Sequence, residues 1–125
     1  MMYSYDKIIQ KYPYLYKEVK HIECDIGWYK LIDRLSKDLE KLIIELKEND
    51  YEEDQYEFLP CASQIKEKYG SLRFYMSSGT DKMDKLIEKA EQESCEICKI
   101  CGKIGRIDDS GWLSCLCEKC RKQNV

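Results

Sequence analysis

Six of the eight cysteines of this chain crowd into residues 95–120, in the run CEICKICGKIGRIDDSGWLSCLCEKC, and no other feature limits the fold so strongly. Cys98-Lys99-Ile100-Cys101 and Cys117-Glu118-Lys119-Cys120 each set two thiols across a two-residue gap, and fifteen residues separate the pairs. A gap of two lets both thiolates of a knuckle face one ion while backbone amides turn toward the sulfurs. Two knuckles then complete the tetrahedral set that zinc accepts. The spacing predicts a structural Zn2+ held by Cys98, Cys101, Cys117 and Cys120, with an iron–sulfur cluster or a redox-active dithiol as the competing chemistries. Cys95-Glu96-Ile97-Cys98 repeats the gap, so Cys95 competes for a place in the first knuckle, and Cys115 competes with Cys117 in the second. The glycine after Cys101 favours the Cys98/Cys101 pair. Cys24, Cys61, Cys95 and Cys115 then read as ordinary small buried or half-buried side chains.

Gly102 suits the positive φ that a knuckle turn often needs, and Gly105 with Asp108-Asp109-Ser110-Gly111 marks a turn between two short strands. This is the pattern of a zinc ribbon or treble-clef-like finger, with Trp112 and Leu116 as its apolar cover. Four thiolates leave no coordination position open for a substrate or an activated water, so the metal itself is not expected to be catalytic. His21 and Cys24 form a His-x-x-Cys pair, but nothing in the sequence orients the histidine or supplies an oxyanion donor. No enzyme and no small-molecule substrate is expected.

With 125 residues, the chain has the length of one domain in which a metal site adds materially to a modest core. Hydrophobic residues at 43% and charged ones at 36% exclude a disordered or membrane-embedded composition. No stretch approaches the roughly eighteen apolar residues of a membrane span, and the start MMYSYDKIIQKY lacks the basic and apolar regions of a signal peptide. The expectation is therefore a cytoplasmic protein, whose reduced thiols serve as ligands rather than as disulfides. The formal charge of −3 is unevenly spread: residues 1–94 carry 15 basic and 20 acidic side chains, residues 95–125 carry 6 and 4. The sign changes where the cysteine cluster begins. The predicted organisation is accordingly a helical and hairpin region over 1–94 and a finger over 95–125, packed as one compact domain.

Around Pro13 the N-terminal stretch predicts two short helical turns rather than one helix. Ile26, Tyr29, Ile32, Leu35, Leu39, Leu42, Ile43 and Leu46 recur at three- and four-residue intervals opposite Lys30, Arg34, Lys37, Asp38, Lys41 and Glu45, which predicts an amphipathic helix over about 27–48. Seven acidic residues between Glu45 and Glu57 read as a solvated loop. After Pro60 the period falls to two. Ile65, Leu72, Phe74 and Met76 share one face while Lys66, Arg73 and Tyr75 point away, a hairpin over roughly 61–66 and 71–77 turned by Glu67-Lys68-Tyr69-Gly70. Thr80 is placed to cap a second amphipathic helix over about 81–95, striped by Met83, Leu86, Ile87 and Ala90. The fold class is α+β: two main amphipathic helices packed on a small antiparallel hairpin, closed by the four-cysteine element.

Gly27-Trp28-Tyr29, the hairpin Gln64-Ile65-Lys66-Glu67-Lys68-Tyr69-Gly70-Ser71-Leu72-Arg73-Phe74-Tyr75, Ala90-Glu91 with Ser94, and Cys98-x-x-Cys101-Gly102 with Gly111-Trp112 and Leu116-Cys117 together resemble a family of small, uncharacterised zinc-ribbon proteins of bacteria and their phages. The resemblance spans about residues 24–120. It departs at Cys120, where relatives often carry histidine, and at the extra Cys95 and Cys115. It implies no activity, only the setting of a phage or prophage factor in the contest with a host.

The first functional expectation is a protein-binding module, a phage or prophage factor that inhibits or redirects a host or defence protein from the host-cell cytoplasm. It rests on the acidic charge and on the tyrosines Tyr3, Tyr5, Tyr12, Tyr14 and Tyr16, since tyrosine is enriched at interfaces although it also packs cores. The second is nucleic-acid binding through Lys99, Lys103, Arg106, Lys119, Arg121 and Lys122, with Lys66, Lys68, Arg73, Tyr69 and Tyr75 of the hairpin adding cations and stacking surfaces. An exposed apolar or acidic patch favours the protein partner. Lys66, Lys68, Arg73 and Tyr75 are the candidate partner-binding residues, unless cross-strand charge pairing on a solvent face already accounts for them.

Overall fold

The computed structural model describes residues 4–108 and 113–123; Tyr3, Asp109, Ser110, Gly111 and Trp112 lie outside the described residues. Four helices, α1 (Tyr5–Lys11), α2 (Tyr29–Asn49), α3 (Asp81–Ser94) and α4 (Glu118–Gln123), alternate with two antiparallel hairpins, β1 (Cys61–Lys68) with β2 (Ser71–Ser77) and β3 (Arg106–Asp108) with β4 (Ser114–Leu116). The expected α+β class with a small two-stranded sheet is what the chain forms.

The long helix α2 is the spine. Its stripe Leu31, Ile32, Leu35, Leu39 and Ile43 is buried against Ile65, Leu72 and Phe74 of the hairpin, Met83, Ile87 and Ala90 of α3, and Ile8, Tyr12, Leu15, Tyr16 and Val19 of the N-terminal segment. A 3-10 turn over Ile26–Trp28 precedes it, and Ile26, read as part of the apolar stripe, is instead exposed. After Asn49 the acidic stretch is not wholly a loop. Glu53–Phe58 form a 3-10 helix closed by a capping box between Glu52 and Gln55, which the density of charge concealed. Thr80 caps α3 as expected, its hydroxyl accepting from the Met83 amide.

Between β1 and β2 the turn is two residues long, because Glu67 and Lys68 continue the ladder opposite Leu72 and Ser71. Tyr69 (φ 53°) and Gly70 (φ 85°) both adopt positive φ, the geometry of a two-residue turn whose twist matches the strands. The outer edge of β2 is not left bare. The Leu72 amide donates to Ser94 Oγ at 2.9 Å and the Phe74 amide to Glu91 Oε2 at 3.0 Å, so α3 satisfies groups that a third strand would otherwise take. This accounts physically for Glu91 and Ser94 among the motif residues.

Glu40 is the carboxylate that the amphipathic pattern does not anticipate. It is buried on α2, and its oxygens accept the Leu15 amide at 2.7 Å and the Tyr14 amide at 3.3 Å, which ties the segment after Pro13 to the spine. Burial raises its pKa above the ordinary range, and the two amides offset part of that. The N-terminal tyrosines do similar work. Tyr12 and Tyr16 are buried, their hydroxyls meeting Asp33 at 2.9 Å and Ser36 at 2.5 Å, while Tyr5 donates to the Asp25 carbonyl at 2.6 Å. These three build the fold; Tyr14 alone of the described members is exposed.

Candidate metal centre

Past Ser94 the chain leaves α3 and folds into a narrow loop. The Cys98 amide donates to the Lys103 carbonyl at 2.7 Å, the Gly102 amide returns to the Cys98 carbonyl at 2.9 Å, and Ile97 bridges Ile104 across the loop. Gly102 sits at φ 82°, the positive value expected of it. The second pair is built differently: Cys117 precedes α4 and Cys120 lies in its first turn. The Cys120 amide points at Cys117 Sγ at 3.4 Å, so the Cys117 sulfur takes the role that a capping oxygen usually has.

These two elements bring Cys98, Cys101, Cys117 and Cys120 together with all four sulfurs within 4.8 Å of one another, and Cys101 and Cys117 sulfurs 3.6 Å apart. Sulfurs at about 2.3 Å from a tetrahedral ion lie about 3.8 Å apart, so the set fits a metal ion with little adjustment. Cys98 and Cys120 are buried, Cys117 half-buried and Cys101 exposed. Burial opposes ionisation of Cys98, but the amides of Cys101, Cys117 and Ile100 aimed at its sulfur overcome it and bring the thiol down to about 6. The Cys120 amide likewise lowers Cys117, whereas Cys120 is pushed up to about 12, first because its proton is shared with Cys117. Part of the cluster is thus prepared to be thiolate, the form that a metal requires.

Cys95 and Cys115 stay out of the set. The Cys95 thiol points to the Glu91 carbonyl at 3.6 Å and Cys115 to the Cys95 carbonyl at 3.1 Å, and Cys115 is fully buried in the main core. Leu116 is buried against Cys98 and Cys120, the cover expected of it; Trp112, the other expected cover, is outside the described residues.

The finger is fixed to the rest of the chain at the start of α2, a contact that sequence reasoning did not find. The Gly27 amide donates to the Lys99 carbonyl at 2.7 Å, and the fully buried Trp28 donates its indole N–H to the Ile97 carbonyl at 2.8 Å. A Cβ on Gly27 would sit 2.2 Å from the Cys98 carbonyl oxygen, so only glycine lets the two backbones meet. Lys99, between the first two ligands, reaches Glu67 at 3.1 Å and Asp25 at 3.7 Å. The signal was present in Gly27-Trp28, but a motif at a helix start does not say what it touches.

Three of the six basic residues of the tail, Lys99, Arg106 and Arg121, are engaged in internal ion pairs. Arg106 pairs with Asp108 and Glu118, and Arg121 binds Asp108 at 3.3 Å and the Arg106 and Leu116 carbonyls at 2.7 and 3.1 Å. On the hairpin, alternation places Lys66, Lys68, Arg73 and Tyr75 on one face, with Lys66 directly opposite Arg73 and Gln64 opposite Tyr75. Neither Lys66 nor Arg73 forms an ion pair among the described residues, since Glu67 turns to the other face and Lys99. His21 is exposed, and the Cys24 thiol is pushed up to about 12, chiefly by burial and then by Glu67, Asp25 and Glu23, the opposite of an activated nucleophile. Among the described residues no helix is long and apolar enough to cross a membrane.

Comparison with protein-family models, with curated proteins and with solved structures finds no match in any of the three. The geometry is that of a four-cysteine centre able to hold a metal ion, locked to the start of α2, beside a hairpin with one cationic face.

Proposed function

We propose that this chain is a zinc-stabilised protein-binding module, with Cys98, Cys101, Cys117 and Cys120 holding a structural Zn2+ in a treble-clef-like finger and the outer hairpin face meeting an acidic partner. One observation carries the reading: Lys66 and Arg73 are like-charged cross-strand neighbours, an arrangement that costs stability, and neither forms an ion pair among the described residues, the Glu23 carboxylate beside Lys66 accepting from Gln64 instead. Arg73 is half-buried. Tyr75 and Tyr69, 41% and 68% exposed, flank the cations and supply the aromatic area typical of an interface. A partner's carboxylates would satisfy both guanidinium and ammonium.

The role is binding rather than catalysis, because four thiolates close the metal and the His21/Cys24 pair lacks an activated thiol. The resemblance to small phage and bacterial proteins suggests the partner: a host or defence protein in the cytoplasm, inhibited or redirected by the contact. Nucleic acid is the second reading. It is weakened by the engagement of Lys99, Arg106 and Arg121 in internal pairs, which removes half of the six basic residues it needs from the tail.

The test is a pull-down of tagged, zinc-loaded protein from a bacterial lysate, with and without nuclease, beside the Lys66→Glu/Arg73→Glu variant. The reading expects a specific protein that survives nuclease and falls at least about tenfold in the variant, equivalent to about 1.4 kcal/mol. Recovery that vanishes with nuclease moves the second reading to the front. Undiminished capture by the variant excludes the hairpin face.

A further inference from the structure

A second surface carries charge that the fold does not use. Where α2 and α3 pack side by side, their outer seam opens into a depression of about 590 Å³ floored by Leu42 and Leu86 and rimmed by Lys41, Lys82, Lys85 and Lys89, against Asp38 and Glu45. Lys82, Lys85 and Lys89 follow one another at helical spacing along α3, and all four lysines are exposed. None of the four forms an ion pair among the described residues. In a chain of net charge −3, this is a local excess of positive charge around an apolar floor.

The same chain carries the complement. Directly after α2, Asp50, Glu52, Glu53, Asp54 and Glu57 are all exposed, and the 3-10 helix they surround ends in Phe58, which is 64% exposed. The capping box between Glu52 and Gln55 holds this acidic turn in shape. It is tied to the N-terminal segment and to α2: the Lys17 ammonium donates to the Glu57 carbonyl at 3.2 Å, and Lys47 of α2 lies over both the Tyr14 and Tyr56 rings. One chain therefore presents a preformed acidic knob with an aromatic tip, and separately a basic groove with an apolar floor.

We propose that the occupant of the groove is a second copy of this chain: Phe58 of one copy covers Leu42 and Leu86 of the other, and Glu53, Asp54 and Glu57 meet Lys41, Lys82, Lys85 and Lys89. A reciprocal arrangement makes both contacts at once, as two-fold pairs do. This association uses neither Lys66 nor Arg73, and it stands independently of the partner-binding reading.

Sedimentation of the purified, zinc-loaded chain over a range of concentrations tests it without any unknown partner. The wild-type mass should rise from 14.9 kDa toward twice that value, and the association should weaken between about 50 mM and about 500 mM salt. Lys82→Glu/Lys85→Glu and Glu53→Lys/Asp54→Lys should each stay monomeric, with unchanged zinc content showing that they are folded. The decisive arm is their mixture. Each variant's altered surface then complements the other's, so mixing should restore a dimer containing one of each. A wild-type chain that stays at 14.9 kDa throughout overturns the proposal, as does association that both variants retain or a mixture that remains monomeric. If the wild type is monomeric and Lys82→Glu/Lys85→Glu loses a captured foreign protein or a single-stranded DNA, the groove belongs to that partner and the self-association is wrong.

Discussion

Cys98→Ser, or removal of the metal from the wild type by a chelator, is expected to abolish metal binding, disorder the finger and destabilise the whole chain by more than about 4 kcal/mol. The finger has little to hold it without the ion. Its own apolar cluster consists of Cys98, Leu116 and Cys120 with Cys117 against them, so three of its four members belong to the four-cysteine set that could hold the ion. The loss spreads because the finger covers Trp28, whose indole N–H would lose the Ile97 carbonyl, and because Cys115 contributes to the main core. Hydrogen exchange should show amides of residues 96–108 and 113–123 losing protection, while Ile65, Leu72 and Leu39 keep more of theirs. Cys117→Ser should behave in the same way. A variant that keeps one tightly bound zinc per chain and its original melting temperature would exclude that cysteine as a ligand.

Gly27→Ala is the second large effect, and its sign runs against local propensity. At the first turn of a helical segment, alanine ordinarily stabilises relative to glycine by up to about 1 kcal/mol. Here the added methyl would lie 2.2 Å from the Cys98 carbonyl oxygen and 2.4 Å from the Lys99 carbonyl carbon, both backbone atoms of the knuckle that cannot swing aside. The 2.7 Å bond from the Gly27 amide to Lys99 would be lost with them. The expected cost is about 3 kcal/mol of stability, with zinc affinity reduced at least about tenfold in competition with a chromophoric chelator. Gly79→Ala is the control. Its nearest neighbour is the Met76 Cβ at 3.3 Å, a tight contact that a shift of a few tenths of an ångström relieves, and its φ is not positive, so the change should cost less than about 1 kcal/mol. A neutral or stabilising Gly27→Ala would mean that the finger does not dock on α2.

Much of the fold follows from periods and caps that a sequence displays. The stripe from Tyr29 to Leu46 and the Thr80 cap locate α2 and α3 to within a few residues, because both signals are local. The two-residue gaps bring four cysteines together for the same reason: each pair is set by its own short turn. What was hidden is tertiary. The hairpin runs two residues further than its pattern suggests because Tyr69 and Gly70 alone make the turn at positive φ, and the Glu67 so placed in the strand reaches Lys99 of the finger, a partner no alternation reveals. The helix α4 was unread because its six residues are too few to show a period, and it persists through Cys120 in the centre and Arg121 clamped to the Arg106 and Leu116 carbonyls. Glu40 broke the rule that helix carboxylates face solvent, for amides at Tyr14 and Leu15 that lie far away in sequence.

Lys66 and Arg73 show the converse case. Alternation placed them on one face, as the chain has them, but neither forms an ion pair among the described residues, since Glu67 turns to Lys99 and Glu23, beside Lys66, is bound to Gln64. A reading of composition alone would have balanced Glu67 against its lysine neighbours. Register decides otherwise.

X-ray absorption at the metal edge of protein purified without added zinc tests the nature of the metal centre most directly. The prediction is one zinc per chain with four sulfur neighbours at about 2.3 Å and no nitrogen or oxygen in the shell. Iron in place of zinc, fewer than four sulfurs, or protein that is folded with no metal at all would contradict it.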